Sequence, residues 1–288
     1  MSEKSWLTTS AGVRMPRILY GTAWKKERTA DLVEQALQAG FRGIDTAGQP
    51  KHYDEGLVGE GLQRAQAQGI KRESLYLQTK YTPLSSQDPQ QLPYDESASV
   101  AEQVAQSFAN SQQNLHTDYV DCLILHSPLA SHDLTMQAWR ALESIHASGG
   151  ARQLGISNCY DLDVMKALYA DAQVKPTIVQ NRFYKDTNYE IDMRQWCAEQ
   201  GLIFESFWSL TANSHILNSD VVHGLADQYH KTKAQIFFRY LSQSGIVPLT
   251  GTRSVQHMQE DLSIFDFELA ADVVNKLGIL LSLSITET

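Results

Sequence analysis

The feature that most limits this chain is an alternation. A short apolar run is followed by an amphipathic stretch, and the unit recurs eight times. The runs fall at 17–21, 43–46, 75–80, 120–126, 153–157, 178–181, 202–206 and 245–249. Several are continuous in apolar residues, the pattern of strands buried on both faces. In 31–40, apolar residues recur at three- and four-residue steps, and Gly40 stands where a helix C-cap belongs. Val100–Leu115, 136–146, 163–172 and Ile191–Gln200 read the same way. Eight strand-then-helix units imply a parallel sheet with helices outside it. At 288 residues, they favour one α/β domain over 1–288, a (β/α)8 TIM barrel. A doubly wound open sheet is the structural alternative. The apolar end, 277–285, reads as the buried side of a terminal helix and its tail.

Charge and cysteine usage narrow the functions. A formal net charge of −9 argues against a phosphate-tracking nucleic-acid binder, though a local basic pocket can still hold a small anion. The three cysteines, Cys122, Cys159 and Cys197, are widely spaced and form no C-x-x-C pair, so a reducing, cytoplasmic setting is expected. No stretch has the length of a membrane span, and the N-terminus lacks the apolar core of a signal peptide. The histidines form no His-Glu-x-x-His, and no metal site is expected. Gly-x-Ser-x-Gly, P-loop and Gly-x-Gly-x-x-Gly motifs are also missing. The longest irregular stretch, 82–99, follows a strand, which puts it on the catalytic face of a barrel, either as a functional loop or as a surface insertion.

Polar residues at the C-terminal ends of barrel strands converge on one site. Asp45, Lys80 and His126 each close an apolar run, and Tyr53 lies in the segment after Asp45. A charge at the end of a buried strand needs a partner. Taken singly, Asp45 and Lys80 read as a structural ion pair, His126 as a satisfied core histidine and Tyr53 as an ordinary aromatic. Their joint placement at successive strand ends is what points to chemistry.

Together these four residues resemble the catalytic tetrad of the aldo-keto reductase superfamily. The segment from Met15 to Trp24 resembles the family's opening strand, and the segment from Tyr53 to Glu60 its tetrad tyrosine and following helix. Leu154-Gly-Ile-Ser157-Asn158 resembles the segment that binds the nicotinamide amide, with Gln180 sharing that task. The segment from Pro248 to Asp261 resembles the grip on the adenosine phosphate. The matches run over nearly the whole chain in the expected order.

The resemblance implies reduction of an aldehyde or ketone by NADPH, with Tyr53 as proton donor, Lys80 and Asp45 behind it, and His126 directing the carbonyl oxygen. It implies cofactor contacts from Ser157, Asn158, Gln180, Phe207, Trp208, Ser209, Leu210, Thr250, Gly251, Thr252, Arg253, Glu260 and Asp261. Trp24 and His126 would line the substrate pocket, with the 82–99 loop as a further wall. Three departures stand out. Asp45 and Tyr53 are eight residues apart, where five is usual, and the insertion ending in Gln49-Pro-Lys-His52-Tyr53 resembles a fungal-type branch. Phe207-Trp208-Ser209-Leu210 replaces a Tyr-Ser-Pro-Leu loop. Thr250-Gly251-Thr252-Arg253 lacks the usual Lys-Ser, and Asp261 adds an acid, so NADH or dual use stays open. A non-catalytic cofactor-binding barrel and a Schiff-base lyase acting through Lys80 are the alternative functions. A monomer with a small-molecule substrate and no obligate protein, nucleic-acid or membrane partner is expected.

Overall fold

The computed structural model describes residues 3–286. Eight parallel strands close into a barrel in sequence order: β1 (Leu19–Gly21), β2 (Gly43–Asp45), β3 (Tyr76–Tyr81), β4 (Cys122–Leu125), β5 (Leu154–Ser157), β6 (Ile178–Arg182), β7 (Ile203–Phe207) and β8 (Ile246–Thr250). β8 pairs with β1 through Leu249 and Thr250 to close the circle. Each expected run holds a strand, with ends shifted by a residue or two. The expected (β/α)8 architecture therefore forms, and the open sheet is excluded.

The helices follow the stripes. α1 (Thr29–Ala39) ends on Gly40 at φ +120°. α3 (Val100–Leu115) starts in a capping box, in which the Ser99 hydroxyl accepts from the Glu102 N–H and the Glu102 carboxylate accepts from the Ser99 N–H. Between them α2 (Glu55–Ala67) is capped by Asp54. His132–Ala147, Leu162–Asp171 and Ile191–Gln200 stand in the expected places. The helices Asp220–Tyr229 and Lys233–Gln243, between β7 and β8, were not marked by the sequence reading. The apolar C-terminal segment lies in Ala271–Thr286, which buries Leu277 and Leu281. No helix among the described residues is long and apolar enough to cross a membrane.

Strand residues alternate between two apolar layers because successive side chains point to opposite faces. Ile44, Leu77, Leu123, Ile156, Val179 and Phe204 face the helices, whereas Leu19, Tyr76, Cys122, Ile124, Ile178, Val247 and Leu249 fill the axis. An unforeseen antiparallel hairpin, Trp6–Thr8 with Arg14–Pro16, packs Val13 and Met15 into the same axial cluster. Its Thr9 hydroxyl donates to Gln153 Oε1 (2.7 Å), and Gln153 Nε2 donates to the Tyr76 hydroxyl (3.0 Å). The base of the barrel is thereby stoppered. The period-two rule then lifts Gln78 and Lys80 above Tyr76, and Glu205 and Phe207 above Ile203, towards the other end.

Candidate active site

At the C-terminal strand ends the axis changes from apolar to ionic. Lys80 is fully enclosed; its Nζ donates to Asp45 Oδ1 at 2.5 Å and to the Thr46 carbonyl at 2.8 Å. Burial opposes the Lys80 charge, but Asp45, assisted by Tyr53 and Glu205, holds it above its ordinary value. Tyr53 sits over this pair, its ring centroid 5.4 Å from Nζ. Burial keeps the phenol above its usual value, with Lys80 pulling it down and Asp45 adding to the rise. His126 meets Tyr53 edge-on at 6.1 Å, and its Nδ1 is 2.6 Å from the Thr82 hydroxyl. Burial, Lys80 and His52 push the imidazole well below its ordinary value, so it is neutral near pH 7. Both rings are only half-buried, which leaves them reachable above an enclosed ion pair.

The insertion after Asp45 is built in. Gly48 N–H donates to the Lys80 carbonyl (3.0 Å), and a Cβ there would lie 3.2 Å from that oxygen and 3.0 Å from Ser107 Oγ. The 82–99 loop leans on this insertion: Gln87 Nε2 donates to the Gly48 carbonyl (2.8 Å), Gln49 Nε2 to the Ser86 carbonyl (2.7 Å), and the Tyr94 hydroxyl to the Thr82 carbonyl (2.8 Å). The loop is thus folded towards the site. Trp24, 48% exposed, lies against the His52 ring at 4.1 Å.

Ser157 at the end of β5, Asn158 just past it and Gln180 on β6 come together. The Ser157 hydroxyl donates to the Gln180 carbonyl (2.7 Å), and Asn158 Nδ2 to the His126 carbonyl (2.9 Å). Asn158, Trp24 and Trp208 all hold positive φ (51°, 62° and 58°), a conformation uncommon for such residues. Trp208 is exposed and stacked on the Arg182 guanidinium at 4.2 Å, with Phe207 also beside Arg182. Ser209 is turned inward to Ser206 Oγ (2.8 Å), and Leu210 packs on the core.

Thr250 ends β8, and Gly251, Thr252 and Arg253 follow it and face the loop after β1. Arg253 donates to the Trp24 carbonyl, and Lys25 Nζ donates to the Gly251 carbonyl. Burial, then Arg253 and Arg28, lowers the Lys25 ammonium to about 8. In a chain of net charge −9, Lys25, Arg28 and Arg253 are a local concentration of positive charge. Asp261 does not face it. The side chain is buried and accepts from the Thr250 hydroxyl (2.7 Å), and burial raises the carboxyl to about 7. Glu260 is half-buried and accepts from Gln256 (2.8 Å).

Sequence reasoning missed Lys25, Arg182, Glu55, Gln78 and Glu205. Glu55 accepts from the Thr79 and Ser111 hydroxyls, and burial raises it to about 7. A lone acid and a lone amide inside apolar strands were the available signal for Glu205 and Gln78. Lys25 and Arg182 gave none, because their partners come from distant loops and rings.

Known proteins match this chain over most of its length. A profile of the Aldo/keto reductase family matches residues 17–216. The glyoxal reductase of Bacillus subtilis is 29% identical over 272 residues, covering 93% of this chain and 90% of that protein. The NADPH-dependent alpha-keto amide reductase of Saccharomyces cerevisiae is 27% identical over 299 residues, covering 95% and 90%. The crystal structure of an aldo/keto reductase from Brucella melitensis superimposes with a TM-score of 0.81 at 26% identity, covering 96% of this chain and 98% of that one.

Proposed function

Because this chain belongs to the aldo/keto reductase family, we propose that it reduces an aldehyde or ketone to the alcohol with NADPH, taking the proton from Tyr53. The observation that carries the reading is the enclosed Lys80–Asp45 pair at 2.5 Å beneath the half-buried Tyr53 and His126. The cofactor fits the residues present. Lys25, Arg28 and Arg253 supply positive charge for a 2′-phosphate, and Ser157, Asn158 and Gln180 stand on the strand ends beside Tyr53.

When bound, the nicotinamide supplies a hydride to the carbonyl carbon. The oxygen then gains charge and needs a proton. Tyr53 donates it, and the tyrosinate left behind is stabilised by the Lys80 cation until water returns a proton. A Thr82 hydroxyl that donates to Nδ1 leaves the His126 proton on Nε2, where it hydrogen-bonds the substrate oxygen. His126 is suited to this as a neutral donor, not as the acid. The Schiff-base alternative is disfavoured because Lys80 is enclosed and held as a cation, whereas a nucleophilic amine must be neutral.

The test pairs binding with turnover. NADPH fluorescence titration should show tighter binding than NADH, and Tyr53→Phe should lower reduction of a small dicarbonyl by about 10²–10⁴-fold with NADPH binding retained. Undiminished turnover in Tyr53→Phe would remove the phenol from the chemistry.

A further inference from the structure

Glu205 lies on β7, wholly enclosed in the barrel axis, one layer below Phe207. Its Oε2 accepts from Gln180 Nε2 at 2.7 Å and from Gln78 Nε2 at 2.8 Å. The same two nitrogens donate to Asp45 Oδ1, at 3.1 Å from Gln180 and 2.7 Å from Gln78. Two amides therefore bridge two carboxylates, and each amide nitrogen spends both of its N–H groups. The opposite amide orientation would set Gln180 Oε1 against two carboxylate oxygens, which is repulsive. Asp45 alone would hold Gln180 weakly, because its bond is the longest of the four and Lys80 already occupies the same Oδ1 at 2.5 Å.

We infer that Glu205 is a positioning residue that turns the Gln180 amide, Nε2 inward and Oε1 outward, so that the carboxamide NH₂ of a bound nicotinamide meets an acceptor. Two further observations support this. Gln180 Oε1 is not among the enclosed oxygens that lack a partner, whereas Glu205 Oε1 and Gln78 Oε1 are. A buried carboxyl with one such bare oxygen carries a proton there more readily than a solvated one, and burial raises Glu205 to about 7. That proton leaves Oε2 free to keep both amides. Glu205 touches neither substrate nor cofactor and acts only through Gln180.

The inference rests on the reductase reading, and its test separates the two. Glu205→Met removes both acceptor oxygens at similar length. It should raise the NADPH dissociation constant about tenfold and leave that for 2′,5′-ADP, which has no nicotinamide, unchanged. Glu205→Gln keeps one acceptor oxygen and should stay within about twofold of the unmodified protein. In the unmodified protein, the 3-acetylpyridine analogue of NADPH, whose methyl ketone has no N–H, should bind about tenfold more weakly than NADPH. Equal binding of the analogue overturns the inference, as does NADPH affinity unchanged in Glu205→Met. Loss of both nucleotides from Glu205→Met also overturns it, because Glu205 would then be supporting the barrel at large. An unmodified protein that binds neither NADPH nor 2′,5′-ADP fails the reductase reading instead.

Discussion

On the proposed function, Lys25 stands in for a motif that the sequence lacks. The segment after β8 has Arg253 but no lysine, and an ammonium arrives from the loop after β1, resting on the Gly251 carbonyl. Two cations around a 2′-phosphate favour NADPH over NADH through charge-assisted bonds. Lys25→Met should therefore weaken NADPH binding about tenfold and leave NADH binding nearly unchanged in parallel titrations. The pH dependence has a definite sign. Because Lys25 is lowered to about 8, its charge is full below that value and lost above it. NADPH affinity should fall between pH 7 and 9 while NADH affinity stays level, and Lys25→Met should abolish the difference. This residue was illegible in the sequence because the contact closes the barrel seam between its first and last strands. By contrast Asp45, Lys80 and His126 were legible, since a polar residue that ends an apolar run has few other places to go.

At the scale of elements, stripes and caps carried most of the information. Val100–Leu115 was bounded correctly because its start is written as Ser-x-x-Glu and its apolar face is regular. The hairpin at the N-terminus was missed because three-residue strands carry too little period to read. The insertion that delivers Tyr53 was visible as a count of residues, but the loop that braces it was not, since that brace is made of amide-to-carbonyl bonds between distant segments. Gly48 is the pivot of the brace. Gly48→Ala would press a methyl group against the Lys80 carbonyl and Ser107, and overpacking of this kind costs about 1–3 kcal/mol. A lowered melting temperature with a disproportionate loss of turnover is expected, because the strain enters the strand that carries Lys80. Unaltered turnover would show that the insertion yields without moving that strand.

For the whole molecule, the polar layer of the axis has a thermodynamic consequence. Glu205 is raised to about 7, whereas an unfolded glutamate titrates near ~4.3. Between these values the folded state binds more protons than the unfolded state, so the Glu205 contribution becomes steadily less favourable as pH rises towards 7. Below the unfolded value the group is neutral in both states and the penalty vanishes. Glu205→Gln removes this dependence. The melting temperature of the variant relative to the unmodified protein should accordingly be higher at pH 8 than at pH 5, by calorimetry or far-UV circular dichroism. A constant difference across that range would mean that Glu205 ionises freely in the fold.

The strand side chains that fill the axis, with Val13, Met15 and the Thr9–Gln153–Tyr76 bonds beneath them, leave the barrel a vessel with one mouth. A molecule that enters over Tyr53 cannot pass through and must leave by the same route. Where two guests share that mouth and the later one lies over the earlier, departure reverses the order of arrival. The sequence of traffic is then set by an axis that is closed throughout and sealed at the opposite end of the molecule by the Trp6–Pro16 hairpin.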